Sequence, residues 1–183
     1  MKFTLLISSL LLASLAIGQS LQVIAVDVSN AGRTPSTIHF YCSKDYDRGQ
    51  CKSDVAGLQQ LLSQFPLIQL GEWSIVLATR QETRRLQHAE GDSAETPALT
   101  YLKHRTSIFE GDLFSADAQR TSELLQMYGR NSIDLRLWAV SHELGHALCQ
   151  ESDEHRAEDY GRQLRNGVAL HCGASGQLQS AAR

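Results

Sequence analysis

The sequence predicts one small α+β domain, a short mixed sheet packed against helices, behind a targeting segment. Two observations give the class. β-branched or continuously apolar runs of strand length occur at Gln22–Val28, Trp73–Thr79 and Thr106–Gly111. Helical periodicity dominates the last third, where Ile133, Leu137, Val140, Leu144 and Leu148 recur at three- and four-residue spacing as a buried stripe. A third sets the scale: 183 residues, less a leader, is one domain's worth of chain.

Taken in order, Lys2 and the apolar run Phe3–Ile17 read as a signal peptide, with Ala16-Ile17-Gly18 fitting small-x-small cleavage and Ser14-Leu15-Ala16 the other choice. This divides the chain into residues 1–18, removed, and a domain at 19–183. No cysteine lies near the cleavage point to make a lipobox, and no later segment has the length to span a bilayer. The mature protein is expected to be secreted or periplasmic, without a propeptide.

Gln22–Val28 alternates and reads as a strand; Ile38–Cys42 reads as a second strand or an irregular segment. Ser53–Phe65 carries Val55, Leu58, Leu61, Leu62 and Phe65 at helical spacing, with Ser53 or Asp54 as cap and Pro66 as stop. Trp73–Thr79 reads as a buried central strand. Gln81–Pro97 is polar and charged, a mobile loop or a short helix running into one. After the strand at Thr106–Gly111 come a short helix, Thr121–Tyr128, ended by Gly129, and a long one capped by Asn131 or Ser132 with Asp134 in its first turn. Glu154–Arg165 forms the last helix, followed by Gly167.

Export makes the cysteines legible. Cys42, Cys51, Cys149 and Cys172 allow three pairings. Cys42–Cys51 and Cys149–Cys172 each close a modest loop and are favoured, and the spacings do not resemble a CxxC metal finger. A net charge of −3 gives no reason to expect nucleic acid or an anionic membrane as partner.

The chemistry concentrates in His142-Glu143-Leu144-Gly145-His146. Residues four apart share a helix face with Cβ atoms about 5–6 Å apart. His142 and His146 can therefore send one imidazole nitrogen each to a single tetrahedral Zn²⁺ at roughly 2.0–2.1 Å. Glu143 is placed to reach a metal-bound water, whose pKa falls to about 7, and to take its proton as general base. Trp138, His142, Gly145, His146 and Cys149 lie on one face, next to the apolar stripe, so the histidines should open into a cleft beside the core.

This HExxH motif on an amphipathic helix, with strands before it and an acidic helix after it, resembles the zincin metallopeptidases, nearer the gluzincins than the metzincins. A metzincin would have glycine and histidine where Cys149 and Ser152 stand. The resemblance covers roughly Trp73–Arg165. It implies a small zincin-like domain that hydrolyses peptide bonds with one catalytic zinc, acting on a peptide or protein substrate. It also implies that an upstream edge strand binds substrate, for which Thr106–Gly111, with Ser107, Ile108 and Phe109 at its centre, is the candidate. The segment Glu154-His155-Arg156-Ala157-Glu158-Asp159-Tyr160-Gly161 is similar to the gluzincin Glu-x-x-x-Asp-x-aromatic-small pattern. Carried over, Glu154 is the third zinc ligand and Glu158 the outer acid that orients a ligand histidine.

The residues themselves leave that choice open. A tight antiparallel hairpin turning near Ser152 would favour Glu158 as ligand, and His155 and Asp153 are further alternatives. Tyr160 is a candidate oxyanion stabiliser or a packing residue. His171 could approach the cleft if the disulfide holds the tail there. The other functional readings are an exported zinc-carrying binding or structural module without turnover, and a zinc amidase acting on cell-wall peptides. Neither the substrate nor any inhibitory partner is legible in the residues.

Overall fold

Trp73, Ile75, Val76, Leu77 and Ala78 are all buried, and a strand apolar on both faces must be covered on both, which places it at the middle of a sheet. The computed structural model describes residues 22–25, 37–65, 70–89, 96–114, 118–128 and 132–173. The expected signal segment, the first strand beyond Ala25, Pro66, Gly129, Asn131 and the polar stretch 90–95 lie outside these residues.

Strand β1 (Val23–Ala25) pairs antiparallel with β2 (Thr37–Ser43), which runs parallel to β3 (Glu72–Ala78). Next comes β5 (Thr106–Glu110), parallel to β3, and at the far edge β4 (Ala98–Tyr101), antiparallel to β5. The order is β1-β2-β3-β5-β4, a five-stranded mixed sheet in an α+β domain.

The strand period of two splits the sheet's side chains between two cores. Phe40, Cys42, Trp73, Ile75, Leu77 and Phe109 share the larger one. It also takes in α1 (Arg48–Leu62), α3 (Ala118–Tyr128) and α4 (Ser132–Cys149) through Val55, Leu58, Leu124, Leu135, Ala139, Val140 and Leu144. Val76, Ala78 and Ile108 pack with Leu86 of α2 (Arg80–Ala89). Helix α5 (Glu154–Arg165) lies against α4.

Several local expectations shift. Helix α1 starts at Arg48, not near Ser53, because the Asp47 carboxylate accepts from the Gln50 N–H at 2.8 Å and caps it. Asp54 is therefore inside the helix, buried, and accepts from the Tyr46 hydroxyl at 2.6 Å and Gln50 Nε2 at 3.2 Å. Arg80–Ala89 is fully helical. Thr79 and Glu82 cap it reciprocally: the Glu82 carboxylate accepts from the Thr79 N–H at 3.0 Å and the Glu82 N–H donates to Thr79 Oγ1 at 3.3 Å. The buried seam of α4 runs through Leu135, Ala139, Val140, Leu144 and Ala147, with Leu137 and Leu148 half-buried at its margin.

Both favoured disulfides are present. Cys42–Cys51 ties β2 to the first turn of α1, and Cys149–Cys172 ties the end of α4 to the tail, with Cα separations of 6.2 and 5.2 Å. Cross-links of this kind persist in oxidising compartments. No described helix is long and apolar enough to cross a membrane.

Candidate metal centre

The geometry of the centre follows from how α4 is turned into α5. Gln150 ends α4 with a left-handed φ of 50°, and the Glu151 N–H reaches back to the His146 carbonyl at 3.0 Å. The buried Glu151 carboxylate accepts from the Asp153 N–H at 2.9 Å and Arg156 Nη2 at 3.0 Å. Asp153 then caps α5 by accepting from the Arg156 N–H at 2.9 Å. Such a short connection makes the helices antiparallel neighbours.

Two glycines let them approach. A Cβ on Gly145 would stand 2.4 Å from the Ala157 carbonyl oxygen, and one on Gly161 would stand 3.0 Å from the Ser141 carbonyl oxygen. With no side chain at either point, the backbones close and the first turn of α5 comes level with the histidines.

There His142 Nε2, His146 Nε2 and Glu154 Oε2 converge. Glu154 Oε2 lies 3.0 Å from His142 Nε2 and 3.5 Å from His146 Nε2, and the two nitrogens are 3.1 Å apart. Ligands about 2.0–2.1 Å from a tetrahedral ion are about 3.3 Å from one another. The triangle is thus within a few tenths of an ångström of the one such an ion requires. Among the described residues this is the one group of three that could hold a metal. Both imidazoles are largely buried, whereas the Glu154 side chain is 72% exposed and stands at the open side.

Partners behind the histidines fix their rings. His146 Nδ1 is 2.6 Å from the Glu151 carbonyl oxygen, and His142 Nδ1 is 3.3 Å from Glu158 Oε2. Each outer contact leaves Nε2 for a cation.

The electrostatics suit a cation. Burial alone would lower the histidine pKa values, but the bonds to Glu154 and the charge of Glu143 outweigh it. His142 is raised and His146 is pushed up to about 9. The same two imidazoles hold Glu154 far below the ordinary carboxylate range. Glu143 is driven the other way: its burial raises it, against the lowering effect of both histidines and of a hydrogen bond from Thr100. Glu143 Oε2 is buried and has no hydrogen-bond partner among the described residues. An orphaned carboxylate oxygen beside two histidines and an acid has the chemistry of a base awaiting a proton donor, so the residues present fit a metal with a water at its open position.

Thr100 also connects Glu143 to the sheet. Its hydroxyl is 2.8 Å from that of Ser107, directly opposite on β5, and Ser107 Oγ accepts from Trp73 Nε1 at 3.2 Å. An indole N–H only donates and an ionised carboxylate only accepts. The two hydroxyls between them are therefore oriented one way, Trp73 to Ser107 to Thr100 to Glu143.

The histidines, Glu143 and Glu154 line a cleft of about 660 Å³. Its other wall is residues 96–102, with Trp138 and Ala139 beside the histidines. Here a site expectation fails. Ser107, Ile108 and Phe109 are buried on β5, hydrogen-bonded between β3 and β4, so they cannot offer a free edge to a substrate. The edge strand beside the cleft is β4, four residues that no long apolar run announces.

The remaining candidates resolve as follows. Glu154 meets both histidines at Nε2, whereas Glu158 stands behind His142. Tyr160 is buried and does not line the cleft; its hydroxyl accepts from the Gly173 N–H at 2.8 Å, so it secures the tail beside Cys172. Asp153 is a helix cap, His155 is exposed and outside the metal group, and the His171 N–H donates to Gln163 at 3.1 Å on the surface. Thr100 and Arg165 were missed as site residues and Trp138 was placed on the histidine face without a role, since Thr100 and Trp138 act on partners in other elements and Arg165 on an acid two turns back whose own role was open. Comparison of the chain with protein-family models, curated proteins and solved structures finds no match.

Proposed function

We propose that this chain is an exported zinc metallopeptidase of zincin type, hydrolysing peptide bonds within an extended substrate. The observation that carries the reading is the convergence of His142 Nε2, His146 Nε2 and Glu154 Oε2 within 3.5 Å of one another, next to the unpartnered Oε2 of Glu143. When bound, zinc would acidify a water and polarise a carbonyl.

The residues of the chain supply the rest. Glu143 accepts the proton of the attacking water at Oε2 and passes it to the leaving amine, a role suited to a carboxylate whose pKa burial has raised. The Thr100 hydroxyl holds the other side of the carboxyl group so that this oxygen stays presented. Edge strand β4, last in the strand order beside the cleft, is the strand along which an extended peptide would lie, aligning the scissile bond by β-augmentation. Three protein ligands leave one position open, which favours turnover over a closed structural site. The two disulfides support export.

The test is zinc content and cleavage of a quenched mixed-sequence peptide library by the protein lacking residues 1–18, run beside Glu143→Gln. The proposal expects one equivalent of zinc in both proteins and hydrolysis only in the wild type. Zinc without hydrolysis of peptides by either protein would support a binding module or an amidase of other specificity. A preparation that takes up no zinc would remove the proposal.

A further inference from the structure

We propose that Arg165 and Trp138 are positioning residues of the metal centre, locking Glu158 onto Nδ1 of His142 so that Glu154 is the third ligand. This rests on the zinc-centre reading above. Glu154 and Glu158 are four residues apart on one face of α5, and both carboxylates touch the same imidazole, at 3.0 Å on Nε2 and 3.3 Å on Nδ1. Two equivalent acids beside one cation would compete for it.

What distinguishes them is the company Glu158 keeps. Arg165 Nη2 donates to its Oε1 at 2.6 Å, and Trp138 Nε1 donates to its Oε2 at 2.8 Å. Guanidinium and indole can only donate, so they hold Glu158 as an acceptor on both oxygens. The His142 ring can then meet Glu158 Oε2 only with a proton on Nδ1, which puts the ring's lone pair on Nε2, where His146 and Glu154 converge.

The clamp is built into the helix pair. Arg165 Nη1 also donates to Ser141 Oγ at 2.6 Å, and that hydroxyl donates to the Trp138 carbonyl at 2.9 Å. One guanidinium thus spans the last turn of α5 and the turn of α4 that carries His142. Its charge also offsets that of Glu158, so the outer carboxylate is not drawn onto the metal. Among the described residues Glu154 has no arginine or lysine partner, and its carboxylate faces the Nε2 atoms of both histidines.

The test is zinc affinity by chelator competition, the visible spectrum of the cobalt-substituted protein, and thermal stability, on wild type, Arg165→Met, Arg165→Lys and Trp138→Phe. Arg165→Lys keeps the charge and loses the fork. Trp138→Phe keeps an aromatic ring between Tyr128 and His142, whose centroids lie 4.8 and 5.7 Å from the indole, and removes the N–H together with part of the ring's packing, which the thermal stability reads separately.

The proposal expects both Arg165 variants to bind zinc about tenfold more weakly and Trp138→Phe to weaken it several-fold, each with an altered cobalt spectrum. Should Arg165→Met fail to fold, Trp138→Phe and Arg165→Lys decide. Tighter zinc binding by Arg165→Met with Arg165→Lys unchanged would mean that only charge acts, and would overturn the proposal. Lower stability with unaltered affinity and spectrum would reduce the clamp to packing and overturn it equally. A wild type that binds neither metal would remove the centre itself, whereas variants that match a zinc-binding wild type would remove only this inference.

Discussion

Gly145 stands at a close approach of α4 to α5, and one added methyl there tests whether that approach assembles the proposed metal centre. A Cβ at this position would be 2.4 Å from the Ala157 carbonyl oxygen. Comfortable carbon–oxygen contacts begin at about 3.3–3.6 Å, so the helices must part by roughly 1 Å. Overpacking of this kind costs about 1–3 kcal/mol, while replacing glycine by alanine within a helix returns about 1 kcal/mol of propensity. Gly57, inside α1, separates the two effects, because a Cβ there meets nothing within 4 Å. Gly57→Ala should therefore stabilise by about 1 kcal/mol, and Gly145→Ala should fall below it by about 1–3 kcal/mol. At about 2–4 °C per kcal/mol for a chain of this size, the melting temperatures of the metal-free variants should differ by about 2–12 °C. The larger effect is on the site. Ligand distances tolerate about ±0.2 Å, so a displacement of about 1 Å that carries Glu154 from His142 and His146 should weaken zinc binding at least about tenfold. Thermal melts and chelator competition measure the two. If Gly145→Ala is as stabilising as Gly57→Ala and binds zinc like the wild type, close approach of the helices does not build the centre.

Zinc must displace the protons that the raised His146 and His142 hold, so apparent affinity should climb at least about tenfold per pH unit from pH 7 towards about 9 and then level, as read by chelator competition across pH. In the metal-free protein the histidine contribution to stability is full below the unfolded pKa of about 6.5 and is lost as pH rises through about 9, so a melting temperature that rises from pH 6.5 to 9 would contradict the histidine assignment. The lowered Glu154 contributes above its ordinary range and is lost on acidification, so a Glu154→Gln variant that melts in step with the wild type on acidification would contradict the Glu154 assignment. Cys149→Ala with Cys172→Ala opens a cross-link spanning 23 residues and should cost about 3 kcal/mol in denaturant unfolding. Thr100→Val should lower kcat about tenfold or more with zinc affinity unchanged, and Thr100→Ser should restore it, because a hydrogen bond to a charged group contributes about 1.5–3 kcal/mol; equal rates for all three would dismiss the Thr100 contact as catalytic support.

What the residues alone determined is what short-range physics encodes. The spacing of His142 and His146 puts two nitrogens on one helix face wherever that helix is placed. The last helix was legible as Glu154–Arg165, and the structure begins and ends it at the same residues. Both disulfides were legible as short loops. Two missed features had local signals of the same kind: Asp47 three residues before Gln50, and Thr79 three before Glu82, are caps written in the sequence. Only the tertiary structure separates Glu154 from Glu158, because four-residue spacing gives both the same face: Glu154 stands with both Nε2 atoms and Glu158 behind His142. Glu158 is held there by a guanidinium at Arg165 and an indole at Trp138, across a crossing closed by Gly145 and Gly161. The tertiary structure also decided which strand is the edge. Ser107–Phe109 reads as well for an edge as for an interior position, since periodicity reports burial of a face and not which neighbours a strand pairs with. Four residues at 98–101 took the edge, and turned the predicted substrate strand into the support for Thr100 and, through it, Glu143. Pairings between segments far apart in sequence depend on the whole chain's packing, and no window of residues contains them.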